Sequence, residues 1–254
     1  MIIAHVLNPV KVNESNPSYL YYTQPVSFDS MYVSKKYAEE NHDSWKINLY
    51  SVHYPEDNVI VPNYFIKLPY LTRSIKDKYP DISKKKLPFV QDIFDSMLKY
   101  IKADYYIFTN SDIILNEKCY DFIIKKIIRY NYEALIINRR DNIPKMINNI
   151  RLGSEHLNLI NILDGERHMG KDFFVMKKNI LEKINMKDVF IAHPPWGGLL
   201  TKYLRSLTNQ FKLFGFEYFT YHLGNDNNHG NSNTKNELTI INTENAKIVE
   251  DLYL

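Results

Sequence analysis

The sequence predicts an α/β protein in which a mainly parallel sheet is covered by helices on both sides. Short apolar runs of strand length alternate with longer segments whose apolar residues recur at helical spacing. Several of these short runs end at a polar or proline-containing turn, as buried strands do. The chain has 254 residues, 44% of them hydrophobic, which suits one large domain with a full core.

The first half of the chain carries the clearest alternation. Its most regular helix is predicted over residues 88–102, because apolar residues from Phe89 to Ile101 form one face. A buried strand at 105–109 follows at once. The other predicted strands are 2–7, 47–53, 65–68 and 134–138, and the other predicted helices are 29–40, 71–78 and 117–130.

The second half is less regular. The pattern predicts a strand at 172–176, helices at 178–184 and 196–207, a strand pair or one bent strand at 211–223, and a loop at 225–236. Residues 143–167 are polar and ambiguous, and a helix followed by a loop is the expectation there. No internal repeat and no interdomain linker is visible, so we expect a single domain over residues 1–254.

Composition excludes several classes of protein. The formal charge of +3 is too small for a nucleic-acid-binding surface. Cys119 is the single cysteine, so no internal disulfide forms and a reducing compartment is the simple expectation. No apolar run reaches the length of a membrane span, and the amino terminus lacks the basic flank of a signal peptide. We therefore expect a cytoplasmic protein, or a soluble fragment of a larger one.

The polar cluster from Thr109 to Asp112 directly follows the buried strand at 105–109. Open α/β sheets bind ligands at the edge where their parallel strands end. A carboxylate there, such as Asp112, is suited to hold a divalent cation on a phosphate. The alternative is an ordinary surface turn, since these residue types are common turn formers.

Four further groups of polar residues lie next to predicted strands. Each also has a structural interpretation, as a solvated acid, a core histidine, an exposed basic turn or a simple loop. The groups are Asn8-Pro9 after the first strand, Arg139-Arg140-Asp141 after the strand at 134–138, Gly170-Lys171-Asp172 before the strand at 172–176, and His222 at the end of 211–223.

The order of these segments resembles the GT-A class of nucleotide-sugar glycosyltransferases, over most of the chain at the level of pattern. The helix at 88–102, the following strand and Asn110-Ser111-Asp112 are similar to the segment that leads into the metal-binding Asp-x-Asp motif of that class. The resemblance implies that Asp112 binds the metal directly. Asn110 replaces the first acid, and its amide suits a hydrogen bond to a ribose or to a metal-bound water. One carboxylate holds a cation less tightly than two, so the replacement puts metal dependence in question.

The resemblance also implies roles for other residues. His222 corresponds to a late histidine that completes the metal site, and a carboxylate with an imidazole suits Mn²⁺ better than Mg²⁺. Asp172 corresponds to the acid beneath the donor sugar and is the first candidate for a catalytic base, with Asp226 the second. Further donor contacts are expected from Asn8, Pro9, Lys86, Ser111, Arg139 and Arg140. Trp196 is the candidate for stacking on an acceptor sugar, with ordinary core packing at a helix start as the alternative.

The implied function is transfer of a sugar from a nucleotide-diphosphate sugar to an unknown glycan, protein or lipid-linked acceptor. Residues 1–141 then form the nucleotide-binding half, and residues 142–254 the acceptor-binding half, with 225–236 as a lid. Because Asn110 replaces an acid of the metal-binding motif, a second class of protein is the alternative. This is an inactive glycosyltransferase-like domain that binds carbohydrate or protein. A sugar-nucleotide nucleotidyltransferase is disfavoured, because the loop from Asn8 to Val12 contains no glycine to approach a phosphate.

Overall fold

A computed structural model describes residues 1–12, 19–83, 85–141, 157, 165–223 and 233–254. These residues form a nine-stranded mixed sheet with helices on both faces, which confirms the predicted α/β class. The strands are β1 (Ile2–Leu7), β2 (Lys46–Ser51), β3 (Ile66–Lys67), β4 (Tyr105–Thr109), β5 (Ile113–Leu115), β6 (Ala134–Asp141), β7 (Glu166–Lys177), β8 (Phe211–Phe214) and β9 (Thr220–His222). The helices are α1 (Tyr19–Asn41), α2 (Ile75–Lys78), α3 (Val90–Tyr100), α4 (Cys119–Tyr130), α5 (Lys178–Leu181), α6 (Trp196–Leu207) and α7 (Asn233–Tyr253), with a 3-10 helix at Pro55–Ile60.

The strand order is β3-β2-β1-β4-β7-β6-β9-β5, and β8 pairs with β6 beside β9. The first four strands are parallel. Strand β7 runs antiparallel to both of its neighbours, β4 and β6. As a result β6 runs in the same direction as β4, so the two strands end at the same edge of the sheet.

Each face of the sheet packs on its own set of helices. On β4, Tyr106 and Phe108 point into the core beneath α3 and α6, whereas Tyr105 and Ile107 point into the core shared with α4. This alternation follows from the two-residue period of a strand, and it explains why β4 is apolar on both faces. The end of β4, where the polar cluster from Thr109 to Asp112 begins, is therefore held in place by a packed core on each face of the sheet.

Several elements differ from the sequence-based expectations. Helix α1 begins at Tyr19 and contains Pro25, whereas the prediction started at residue 29, because a proline usually ends a helix. Helix α2 has only four residues, capped by Ser74, whose side chain accepts a hydrogen bond from the amide of Asp77. Strand β5 and most of α7 had no predicted counterpart. Most of the ambiguous segment 143–167 and of the expected lid 225–236 lies outside the described residues, although α7 already begins at Asn233.

The described helices include none that is both long and apolar enough to cross a membrane.

Candidate active site

The polar groups singled out in the sequence meet at one edge of the sheet. Strands β1, β4 and β6 end at this edge, and β7 enters from it, because β7 is antiparallel to both neighbours. The edge therefore collects Asn8 after β1, the segment from Asn110 to Asp112 after β4, Arg139 near the end of β6, and Asp172 near the middle of β7.

The pairing of β5 with β9 brings His222 to this edge. Ile113 faces His222 across the two strands, so the imidazole lies next to Asp112. His222 Nε2 is 3.1 Å from Asp112 Oδ2, and His222 Nδ1 is 3.5 Å from Asp141 Oδ1. The ring is thus held between two carboxylates.

Arg139 lies between two carboxylates in the same way. Its Nη1 donates to Asp172 Oδ2 at 2.9 Å, and its Nε is 2.8 Å from Asp141 Oδ1. The second oxygen of Asp172 accepts a hydrogen bond of 2.8 Å from the Asn110 side-chain amide. Acids and bases therefore alternate along the site, from Asp112 through His222, Asp141 and Arg139 to Asp172.

The protonation of these groups follows from burial and from their neighbours. Burial alone favours neutral His222, but its hydrogen bonds to Asp112 and Asp141 outweigh burial and raise its pKa to about 10. Burial opposes the charge of Asp141, yet His222 and Arg139 lower the pKa of that carboxyl to about 2. The pKa of Asp112 likewise lies below its ordinary value, because His222 outweighs the effect of burial.

Asp172 behaves differently from the other two acids. Burial raises its pKa, and the nearby charge of Asp112 adds to this effect, while Arg139 opposes it. A buried carboxylate with a raised pKa at the base of a cleft is the environment expected of a group that exchanges a proton.

Gly170 is required by close packing beside these side chains. A Cβ atom at this position would lie 2.7 Å from His168 Nδ1, 2.8 Å from Arg139 Nε and 2.9 Å from Asp172 Oδ2. Any larger residue would push against the arginine and the carboxylate that it binds.

A cleft of about 1350 Å³ opens above these groups. This space is large enough for a ligand of nucleotide-sugar size. The predicted site residues that line the cleft are Asn8, Lys86, Asn110, Ser111, Asp112, Arg139, Asp172, Trp196 and His222.

Two of the predicted donor-binding residues do not line the cleft. Pro9 is buried in the segment after β1. Arg140 lies on the opposite face of β6 from Arg139, where its guanidinium stacks 3.6 Å from the Tyr218 ring and donates to the carbonyl of Phe216. Strand alternation accounts for this difference between two adjacent arginines.

Three other predicted residues have additional contacts within the protein. The side-chain amide of Asn8 donates to the carbonyl of Val52, which joins the ends of β1 and β2. Lys86 pairs with Glu56 at 2.7 Å on the rim of the cleft. Trp196 is 6% exposed and packs against the rings of Phe108 and Phe174, so most of its indole belongs to the core.

Asp112 and His222, the two residues expected from the sequence to hold a divalent cation, lie side by side. Among the described residues, no group of three or more His, Cys, Asp or Glu side chains is arranged as a metal site. However, Asp112 Oδ1 is buried and has no hydrogen-bond partner in the described part of the chain. This oxygen fits a cation that shares its remaining positions with a bound ligand, whereas the neighbouring His222 ring must lose a proton before one of its nitrogens can bind a metal.

From the sequence Asp141 was grouped with Arg139 and Arg140 but given no role, and Asp57 was not identified. Asp141 lies two residues after Arg139 and therefore on the same face of β6, which strand periodicity was able to indicate. Asp57 accepts a hydrogen bond from the backbone amide of Lys11 at 2.7 Å and lines the cleft, and no sequence pattern pointed to it. Asp226, the second base candidate, lies outside the described residues.

Comparisons with known proteins identify the fold. The chain resembles TarS of S. aureus, residues 1–349, solved in complex with UDP-GlcNAc, with a TM-score of 0.52 and 10% identity over 96% of this chain and 66% of that one. It also resembles glucosyl-3-phosphoglycerate synthase from Mycobacterium tuberculosis in complex with phosphoglyceric acid, with a TM-score of 0.53 and 10% identity over 97% of this chain and 80% of that one.

Both neighbours are GT-A nucleotide-sugar glycosyltransferases, so the fold of this chain is GT-A-like. The chain spans 66% of the TarS 1–349 chain bound to UDP-GlcNAc and 60% of the one bound to UDP. No protein-family model matches the sequence, and a search of curated proteins gives no match.

Proposed function

We propose that this protein is a glycosyltransferase that takes its sugar from a nucleotide-diphosphate sugar. The observation that carries the proposal is the meeting of Asp112, His222, Arg139 and Asp172 at the carboxyl edge of a GT-A-like sheet. The cleft above them supplies the space for a donor. The solved complex of the TarS neighbour with UDP-GlcNAc supports a nucleotide sugar as the class of ligand.

In this proposal the donor diphosphate lies next to Asp112 and His222. These residues would hold a divalent cation, with Mn²⁺ preferred over Mg²⁺, and such a cation would supply Lewis-acid stabilisation of the leaving diphosphate. Asp112 would supply a carboxylate to that cation, and His222 would supply an imidazole nitrogen once the incoming cation had displaced its proton. Lys86, on the rim of the same cleft, adds positive charge toward the diphosphate.

Asp172 is the proposed contact to the reacting sugar. Its carboxylate is fixed by Asn110 and Arg139, and its raised pKa favours proton exchange. If the reaction inverts the configuration of the sugar, Asp172 accepts the proton of the acceptor hydroxyl. If it retains the configuration, Asp172 holds sugar hydroxyls instead. Asp226 remains the second candidate for the base.

Asn8 and Ser111 are proposed to border the donor, because both line the cleft where β1 and β4 end. Trp196 is proposed for the acceptor through the part of its indole that reaches the cleft. The acceptor itself, a glycan, a protein or a lipid-linked molecule, stays open. Residues 1–141 then act as the nucleotide-binding half of a single domain, and residues 142–254 as the acceptor-binding half.

A second function is favoured by a specific observation. The three site carboxylates are already paired with Arg139 and His222, as expected of a domain that binds carbohydrate without turning it over. Such a domain would bind a sugar or a nucleotide sugar and release no nucleotide.

A screen of ligand-dependent melting temperature tests the proposal. UDP, GDP and their sugar conjugates are added with and without Mn²⁺, since a ligand that binds only the folded state raises the melting temperature. We expect at least one of these ligands to stabilise the protein, and more strongly with Mn²⁺. If none does, the nucleotide-sugar assignment is wrong.

A further inference from the structure

Asn110, the residue directly after β4, faces Asp172 of the neighbouring strand β7. Thr109 pairs with Phe173 in the antiparallel ladder of β4 and β7, so the next facing pair is Asn110 and Asp172. Their side chains meet, with Asn110 Nδ2 donating to Asp172 Oδ1 at 2.8 Å. The pairing of the strands therefore fixes the contact, although 62 residues separate the two in the chain.

The other oxygen of Asp172 is held from the opposite side. Strand β7 lies between β4 and β6, and Arg139 of β6 donates to Asp172 Oδ2 at 2.9 Å. The Asp172 side chain is only 10% exposed. A buried carboxylate is thus held by an amide from one neighbouring strand and a guanidinium from the other, which sets its orientation.

The neutrality of Asn110 is essential to this arrangement. An ionised carboxylate at position 110 has no hydrogen to donate, and it would face Asp172 directly across the two strands. Like charges in facing positions destabilise a sheet. Within this group Asp112, Asp141 and Asp172 already outnumber the two cationic side chains, Arg139 and His222, so a fourth acid would have no cationic side chain to pair with.

We propose that Asn110 is a positioning residue that orients Asp172, rather than a ligand of the metal or of the donor. The inference rests on the proposed function, in which Asp172 contacts the reacting sugar or accepts a proton. It has an unusual consequence: Asn110→Asp, which recreates the two-acid motif of related folds, should impair the enzyme.

Kinetics of donor turnover with Mn²⁺ provide the first test, on the full chain and with the nucleotide sugar that the wild type accepts. We expect Asn110→Asp to lower kcat by about 10- to 100-fold with little change in KM, because misplacing a reacting group affects the chemical step. Asn110→Ala should lower kcat less, since it removes the hydrogen bond without adding a charge. Asn209→Asp makes the same chemical change at an exposed position and is the matched control.

A double-mutant cycle on melting temperature provides a test without activity. Asn110→Asp alone should lower the melting temperature. Combining it with Asp172→Asn reverses the direction of the hydrogen bond and restores the facing pair. The double variant should therefore melt above the value expected from adding the two single effects.

The outcomes separate the two proposals. If Asn110→Asp keeps the wild-type kcat, the positioning role is wrong. If this variant also binds Mn²⁺ more tightly, position 110 contacts the metal. Additive melting temperatures would overturn it as well. If the wild type turns over no nucleotide sugar, the proposed function fails, while the melting cycle still decides whether Asn110 holds Asp172.

Discussion

His222 Nε2 lies 3.1 Å from Asp112 Oδ2, although 110 residues separate the two in the chain. The contact depends on the short pairing of β5 with β9, which places Ile113 opposite His222. The same imidazole reaches Asp141 on its other side, at 3.5 Å. A metal cation that binds Asp112 must therefore enter a site in which the carboxylates already have positively charged partners.

Asp112→Asn should remove the metal-dependent part of donor binding. The substitution keeps the size of the side chain but removes the negative charge that attracts a cation. We expect the Mn²⁺-dependent rise in melting temperature with a nucleotide sugar to disappear. Asp43→Asn changes an exposed acid that does not line the cleft; it is the matched control and should keep the full rise. If Asp112→Asn keeps the full Mn²⁺-dependent rise in melting temperature, the metal binds at another site.

Arg139→Ala should destabilise the protein strongly. The substitution leaves Asp141 and Asp172 without the cation that they share, and breaking a buried ion pair from one side costs about 3–5 kcal/mol. Urea unfolding measures this change. Adding Asp172→Asn should recover part of the lost stability, because it removes one of the two carboxylates that are left without Arg139. The exposed Arg129 is the control, since Arg129→Ala should cost less than about 1 kcal/mol.

Two glycine substitutions should differ in their effects. Gly170→Ala places a methyl group within 3 Å of Arg139 and Asp172. We expect a loss of about 1–3 kcal/mol in the free energy of unfolding, as for other overpacked sites. Gly198→Ala introduces the same methyl group where nothing lies within 4 Å, inside helix α6. It should be neutral or stabilising by about 0.5–1 kcal/mol. Equal losses at the two positions would contradict the packing described around Gly170.

The stability of the protein should fall in mild acid because of His5. This histidine is buried in β1, where it hydrogen-bonds with Tyr120 and Thr109, and burial lowers its pKa to about 3. Between pH 6.5 and about 3, the unfolded chain binds a proton at His5 that the folded chain does not. Unfolding is then favoured as the pH falls, by at most about 1.4 kcal/mol per pH unit from this group.

His5→Gln is the matched variant for this prediction, because it cannot titrate in that range. The buried glutamine is expected to cost stability at neutral pH. The measurement is therefore the slope of unfolding free energy against pH between 6.5 and 4, which should be shallower in the variant. Equal slopes would mean that other groups cause the acid sensitivity.

The sequence was sufficient to predict the fold class and to select polar residues that the structure brings together at one edge of the sheet. Asp112 was identified because buried strands are recognisable and their ends share an edge, whereas Arg139, Asp172 and His222 were selected through the resemblance to GT-A enzymes. The structure places these four residues in one connected group.

Other features could not be predicted, for identifiable physical reasons. Strand β5 has only three residues, and its partner β9 also has three, so neither gives a periodic signal. Arg140 was grouped with Arg139 because adjacent residues share a motif, yet on a strand they point to opposite faces. The contact of Asn110 with Asp172 depends on the register of β4 and β7, which sequence patterns do not specify.

Donor hydrolysis is the measurement that tests the central claim most directly. The protein is incubated with UDP- and GDP-sugars and Mn²⁺, and released nucleoside diphosphate is quantified without any acceptor. We predict slow release from at least one donor, lost in Asp112→Asn and retained in Asp43→Asn. Binding of a nucleotide sugar without any release, under all of these conditions, would contradict a transferase and favour a non-catalytic binding domain.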